Sequence, residues 1–417
     1  MKRYSHPLAD FVAAAVTCMM LLVGLPHADG ATFIINNIDG PGEGFNDPTP
    51  ASPVGGNPGT TLGQQRLNAF QRAAEIWGGA IESNVPISIE AAFDPLSCNA
   101  SSAILGSAGA IQVIRDFPNA PQSDTWYHTA LANALAATDL IPDTDDISAT
   151  FNSSIDNNDN CLSGIDWYLG FDDNPGGGIS LLVVLLHEFA HGLGFSGFVN
   201  LSNGRFLQNR ADVFSVLTFD NSQGLHWHEM SNGQRRTSAR NTGNVVWDGL
   251  QVRTGANAIL VNGQDGAGNV RLYAPNPVQS GSSIYHYDTV ASPNLLMEPF
   301  INNDLDDRLD LTDDLMVDIG WVLLDSDGDG VPDVADNCKL VANGTLIPDA
   351  GGNSQLDADG DGYGNLCDGD FNQDDFVNVI DLGLFKQRFF TADSEADLNG
   401  DGIVNVLDLG LFKAMFF

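Results

Sequence analysis

The sequence predicts an α+β body followed by calcium loops and a small α-helical module at the C-terminus. Three observations carry this. Before residue 200 the hydrophobic periodicity runs helix, strands, helix, strand, buried helix, an order that sets helices against a sheet. Past Leu323 the composition turns to Asp, Gly and Asn, and residues 321–417 hold 19 Asp/Glu against 4 Lys/Arg. The last 48 residues repeat themselves with a period of 27.

The elements follow in order. Lys2, Arg3 and the apolar run Phe11 to Leu25, with small residues Ala28, Gly30 and Ala31 after it, read as an export signal over residues 1–30. The run is short for a membrane span, so the mature chain is read as secreted. The Gly/Pro-rich stretch 39–59 reads as loop. Leu62, Leu67, Phe70, Ala74, Trp77 and Ile81 share one face of a helix over 62–81. Residues 86–93 and 110–117 alternate as strands, 126–137 read as a helix, and 165–169 as a short strand. Ser180 suits the N-cap of the apolar segment Leu181 to His191, a buried helix that Gly192 and Gly194 end. From Phe195 to Gly281 the pattern is irregular. Leu311 to Gly320 reads as a short helix with Thr312 as its cap.

The formal net charge of -37 makes nucleic acid and anionic membranes poor partners, because both reward basic patches. Four cysteines follow the signal. An even count in an exported chain suggests two disulfides, with Cys98–Cys161 and Cys338–Cys367 favoured by proximity among three pairings.

The segment LLHEFAHGLG carries the chemistry. On a helix His187 and His191 lie one turn apart on one face and can reach one ion together. Glu188 is close enough to touch a water on that ion. Neutral imidazoles with one open position suit Zn2+, which brings the pKa of bound water towards ~7. Glu188 is then the general base for amide hydrolysis. Chance would produce this spacing in roughly 0.003 of chains of this composition.

HEFAHGLGF resembles the metzincin metallopeptidases, whose helix ends at a glycine three residues after the second histidine, here Gly194. Most of that family place a third histidine three residues further on, where this chain has Gly197. The alternatives are His286, and the LHWHEM segment with His226, His228 and Glu229. The leishmanolysin-like members delay the third histidine by an insertion and follow it with a methionine turn beneath the metal. His286 and Met297 match that pattern, and LDLTDDLMVDIGW resembles the helix that closes the lower subdomain. The resemblance implies a two-subdomain zinc peptidase over residues 31–323, with a protein or peptide substrate extended against an edge strand. The alternative is a non-catalytic calcium-binding surface or matrix protein that keeps the fold.

Two loops put acidic or amide side chains at positions 1, 3, 5, 9 and 12 with glycine at 6. They are Asp325, Asp327, Asp329, Asp333 and Asp336, then Asp357, Asp359, Asp361, Asn365 and Asp368. The cysteine after each loop resembles thrombospondin type 3 repeats over 324–369. In the duplication, Asp370, Asn372, Asp374 and Asp381 form one Ca2+ set, and Asp397, Asn399, Asp401 and Asp408 the other. Asp375 stands where glycine is usual. The VNVxDLGLFK helices resemble type I dockerins over 370–417, which implies a cohesin-like partner.

Overall fold

The computed structural model describes residues 30–156 and 158–416. The export signal read over 1–30 lies outside the described residues, Gly30 excepted. The first sheet has four strands: β1 (Phe33–Asn37), β2 (Ile87–Asp94), β3 (Gly106–Ala110) and β4 (Ile147–Asn152). Their order is β1-β2-β4-β3, parallel except for β3, which runs antiparallel to β4 at one edge.

Helices α1 (Leu62–Gly78) and α3 (Leu181–Leu193) pack together, and α3 also lies against β3 and β4. The side chain of Thr61 accepts the Gln64 N–H and starts α1; Ser180 does the same for α3 through Val183 N–H. Leu181, Leu182, Val183, Val184, Leu185, Leu186, Phe189, Ala190 and Leu193 of α3 are all buried. At roughly 1.5–3 kcal/mol for each large aliphatic side chain, this burial rather than helix propensity holds α3 in place. Gly194 ends it at φ 141°, and the ring-free Cα of Gly192 lets the helix close on β4, where a Cβ would meet Ile147 at 2.6 Å.

Several local expectations shift. The helix read over 62–81 stops at Gly78, because Ala80–Glu82 pair instead with 322–324: Leu324 N–H donates to Ala80 O, and Glu82 N–H to Val322 O. The helix read from 126 begins at Thr129 (α2, Thr129–Ala136), since Tyr127 and His128 pair with Val113 and Ile114. Of the strand read over 110–117 only Val113–Ile114 is one, paired with Tyr127–His128, and the four-stranded sheet takes β3 just before it. The GSAGA sequence of β3 has no β-branched residue, and it is a strand because close approach is needed there. A Cβ on Gly106 would fall 3.1 Å from Glu188 Cγ and 3.0 Å from the Phe151 ring. β1 and β4 were not anticipated; their partners in the sheet, not their own pattern, make them legible.

The irregular stretch after Phe195 holds a second, antiparallel sheet: β5 (Thr218–Asp220), β6 (Leu225–His226), β7 (Val245–Trp247) and β8 (Val270–Arg271), in the order β6-β5-β7-β8. These strands are two or three residues long, too short for a period of two to register. Helix α4 (Leu250–Ile259) packs on α5 (Leu311–Ile319). The cap of α5 is Asp310, whose carboxylate accepts the Thr312 N–H, and not Thr312 itself.

One hydrophobic core runs from Ala31 to Trp321. A separate small core of Phe385, Ala396 and Val404 lies among helices α6 (Val379–Arg388) and α7 (Val406–Met415). Both disulfides are formed, Cys98–Cys161 and Cys338–Cys367. Among the described residues no helix is long and apolar enough to cross a membrane.

Candidate metal centre

Helix α3 places His187 and His191 on one face. His286 comes from the second sheet's side of the molecule. The strand beyond β8 doubles back there: Tyr273 N–H donates to His286 O at 2.8 Å, and Ile284 N–H to Tyr273 O at 2.7 Å. The three Nε2 atoms converge, at 3.1 Å for His187–His191, 3.2 Å for His187–His286 and 3.3 Å for His191–His286.

Each ring is fixed by its other nitrogen. His187 Nδ1–H donates to Leu296 O at 2.7 Å, His191 Nδ1–H to Phe195 O at 2.8 Å, and His286 Nδ1–H to Ser282 O at 2.8 Å. A carbonyl only accepts, so each Nδ1 carries the hydrogen and each Nε2 is a bare lone pair. Three lone pairs aimed at one point cannot hydrogen-bond to one another. The arrangement repels itself unless a cation sits among them. Burial also holds the rings neutral. It pulls His187 down to about 4 and His191 to about 3, and drives His286 well below the usual histidine value; in the last two the neighbouring rings add to this.

Glu188 is 8% exposed, and Ala108 N–H of β3 donates to its Oε2 at 2.8 Å. Burial pushes this carboxyl up to about 7, against the opposing pull of that N–H. Met297 is fully buried in the turn behind His187. Its carbonyl accepts Tyr287 N–H at 2.8 Å, and the residue before it, Leu296, supplies the oxygen that orients His187. The turn therefore acts on the site through its backbone.

The LHWHEM segment lies apart from this trio. His226 Nε2 pairs with Asp248 at 2.9 Å and its Nδ1 with Glu229 at 3.4 Å, while His228 stacks near His226 at 5.6 Å between centroids. The missing histidine at Gly197 has a steric reason. A Cβ there would lie 2.8 Å from Asp212 Oδ1 and 2.9 Å from Tyr285 Cε1. Tyr285, next to His286, occupies the space, and its hydroxyl accepts Val199 N–H at 3.3 Å.

In the acidic region, Asp325, Asp327 and Asp329 offer oxygens within 4.8 Å of one another, as do Asp357, Asp359 and Asp361. Asp327 Oδ2 and Asp336 Oδ2 are buried without a hydrogen-bond partner. Burial first, then Asp329 and Asp336, push Asp327 up to about 6. Asp368 is pushed up to about 6 by burial and by Asp361 and Asp359. The residues at position 9 also accept groups of their own loop, as position 1 does: Asp333 accepts Ser326 N–H and Oγ–H at 2.7 Å, Asn365 accepts Ala358 N–H at 2.8 Å, and Asp325 accepts Gly328 N–H at 2.9 Å. They close their loops from within.

In the duplicated units, Asp370 accepts Asp374 N–H and Asp397 accepts Asp401 N–H, while Asn372 and Asn399 reach Asp374 and Asp401. Asp381 and Asp408 are fully buried and accept the N–H of Asn378 and Asn405, the caps of α6 and α7. Asp381 Oδ1 has no partner. Asp375 adopts φ 66°, the turn that glycine makes in the second unit, where Gly402 has φ 96°.

Four contributors escaped sequence reasoning: the N–H of Ala108 and the carbonyls of Leu296, Phe195 and Ser282. All are backbone groups and carry no residue signal. No curated protein and no solved structure matches the chain. Residues 368–416, which take in both copies of the duplication up to Phe416, match the dockerin type I domain family.

Proposed function

We propose that this protein is a secreted, zinc-dependent endopeptidase of metzincin-like architecture, carried on calcium-loop repeats and a dockerin that docks a cohesin-like module. The observation that carries the peptidase reading is the convergence of three Nε2 lone pairs beside a buried glutamate. Nitrogens about 2.0–2.1 Å from a tetrahedral ion stand roughly 3.3 Å apart, close to the 3.1–3.3 Å separations of His187, His191 and His286. The all-nitrogen donor set favours Zn2+ over Ca2+ or Mg2+, which take oxygen.

Bound there, Zn2+ supplies Lewis acidity that lowers the pKa of water towards ~7 and polarises a carbonyl. The remaining work falls to the chain. Glu188 Oε takes the proton of the attacking water and passes it to the leaving amine nitrogen. Burial raises this carboxyl while the site holds no ion, and a cation beside it would draw it back towards the ionised form that a general base needs. The Leu296, Phe195 and Ser282 carbonyls hold the three imidazoles in the required tautomer.

Substrate positioning follows from β3. Among the described residues no strand pairs with its outer edge, and Ala108 N–H points from that edge to Glu188. An extended peptide can add to this edge through main-chain bonds, which places one carbonyl beside the three histidines. The metzincin likeness is supported by the antiparallel edge strand beside the helix, the buried Met297 turn and helix α5 below it.

Oxygen-only donors in all four acidic loops fit Ca2+. The dockerin match supports attachment to a cohesin-like module and an extracellular setting.

The test is cleavage of casein or gelatin by the purified full chain, with and without a zinc chelator, beside Glu188→Gln. Loss of cleavage in the variant, with zinc content unchanged, supports the proposal. Equal cleavage by both proteins overturns it.

A further inference from the structure

We infer that Ca2+ in the first acidic loop, Asp325–Asp336, clamps the zinc-helix body, so that the metallopeptidase half of the chain depends on this one calcium for its stability.

The loop is joined to the body by hydrogen bonds on both sides. Asp333 N–H donates to Leu324 O at 2.7 Å, and the Asp333 carboxylate holds Ser326. Leu324 N–H donates to Ala80 O at 3.0 Å, Ile81 bridges Leu323, and Glu82 N–H donates to Val322 O at 2.9 Å. One residue earlier, the Trp321 indole N–H donates to Leu193 O at 3.0 Å, on the last turn of α3. That turn carries His191. Ile319, at the end of α5, fills the hollow over Gly194, where a Cβ would meet its Cδ1 at 2.4 Å. The path from loop to helix thus runs through consecutive residues, Ile319 to Ser326, all paired or packed.

The cation requirement has its own observation. Asp329 is fully buried and Asp336 is 7% exposed, with Asp336 Oδ2 unpartnered beside Asp327. A buried carboxylate oxygen without a donor is costly unless an ion meets it. Glu82, on the body, faces Asp325 of the loop, so like charges oppose each other across the joint when no cation is present. Oxygen donors alone select a hard ion, Ca2+. The dockerin loops lie beyond the Cys338–Cys367 disulfide.

The inference rests on the proposed reading of α3 as the zinc helix, but its test needs no catalysis. All six tryptophans, Trp77, Trp126, Trp167, Trp227, Trp247 and Trp321, lie at or before residue 321, so fluorescence excited selectively at tryptophan reports the body alone. Thermal unfolding of the full chain in the Glu188→Gln background, which prevents self-cleavage, is followed by this signal in EGTA and in millimolar CaCl2. The midpoint rises by about 5 °C or more with calcium. Asp327→Ala, which leaves no oxygen at position 3, removes most of that rise, and in EGTA it unfolds no lower than its parent, because a repelling charge is gone. Asp401→Asn, in the second dockerin loop, keeps the rise. An unchanged midpoint in the parent overturns the inference, as does a rise undiminished in Asp327→Ala. A rise with no zinc in the protein leaves the clamp standing and removes the peptidase reading instead.

Discussion

Glu188 and Ala108 are joined by a 2.8 Å hydrogen bond that ties the carboxylate after the first histidine to the antiparallel edge of the sheet. The bond places a helix side chain and a strand backbone on the same small volume as three imidazoles. It also makes Glu188 a buried carboxyl met by one N–H donor, whose pull is weaker than the opposing effect of burial on its titration.

That titration has a sign. A carboxyl raised from 4.5 to about 7 favours the fold fully below about pH 4.5, and this contribution is lost as pH rises through about 7. In the metal-free protein Glu188 therefore costs ~3 kcal/mol of stability between pH 5 and pH 8. Urea unfolding of metal-stripped wild type and Glu188→Gln at the two pH values isolates it, since the raised Asp310 and Asp314 are common to both. The wild type loses ~3 kcal/mol more than the variant. Equal losses mean Glu188 is not desolvated.

The third ligand is testable directly. His286→Ala lowers bound zinc, measured by elemental analysis after dialysis, at least 10-fold in affinity, as loss of one of three ligands does. His228→Ala, on a ring that stacks on His226 away from the trio, leaves zinc unchanged. The opposite pattern moves the ligand to the LHWHEM segment.

Gly197 should resist repair towards the commoner spacing. Its Cβ position lies within 3 Å of both Asp212 and Tyr285. Gly197→Ala destabilises the fold by about 1–3 kcal/mol through overpacking. Gly197→His in a His286→Ala background fails to restore zinc. Restored zinc in that double variant means Tyr285 moves aside freely.

Calcium should bind once per acidic loop, four equivalents for the chain. Asp408→Ala removes a fully buried position-12 carboxylate that holds Asn405 N–H and Asn399 N–H. Isothermal titration of the variant gives one equivalent fewer and a loss of helix signal confined to the C-terminal module. An unchanged stoichiometry shows that the loop does not bind.

Much of this site is written in residue types. The His187–Glu188–His191 spacing, the glycines that end the helix, and the repeated Asp loops are local features. A helix turn or a twelve-residue loop fixes their geometry wherever they occur. Within those loops positions 1 and 9 both also accept N–H groups of the loop itself: Asp325 takes Gly328 and Gly330 N–H, and Asp333 takes Ser326 N–H.

The chain alone thus determined a buried histidine helix, the clustered Asp side chains of the first two loops and the duplicated module, because each depends on side chains within a few residues of one another. Only the tertiary structure decided that His286, and not His226 or His228, meets the first two rings, that Tyr285 fills the gap at Gly197, and that a glycine-alanine strand at 106–110 borders Glu188. Those outcomes depend on backbone groups and on contacts across roughly a hundred residues, for which no periodicity or spacing in one sequence carries a signal.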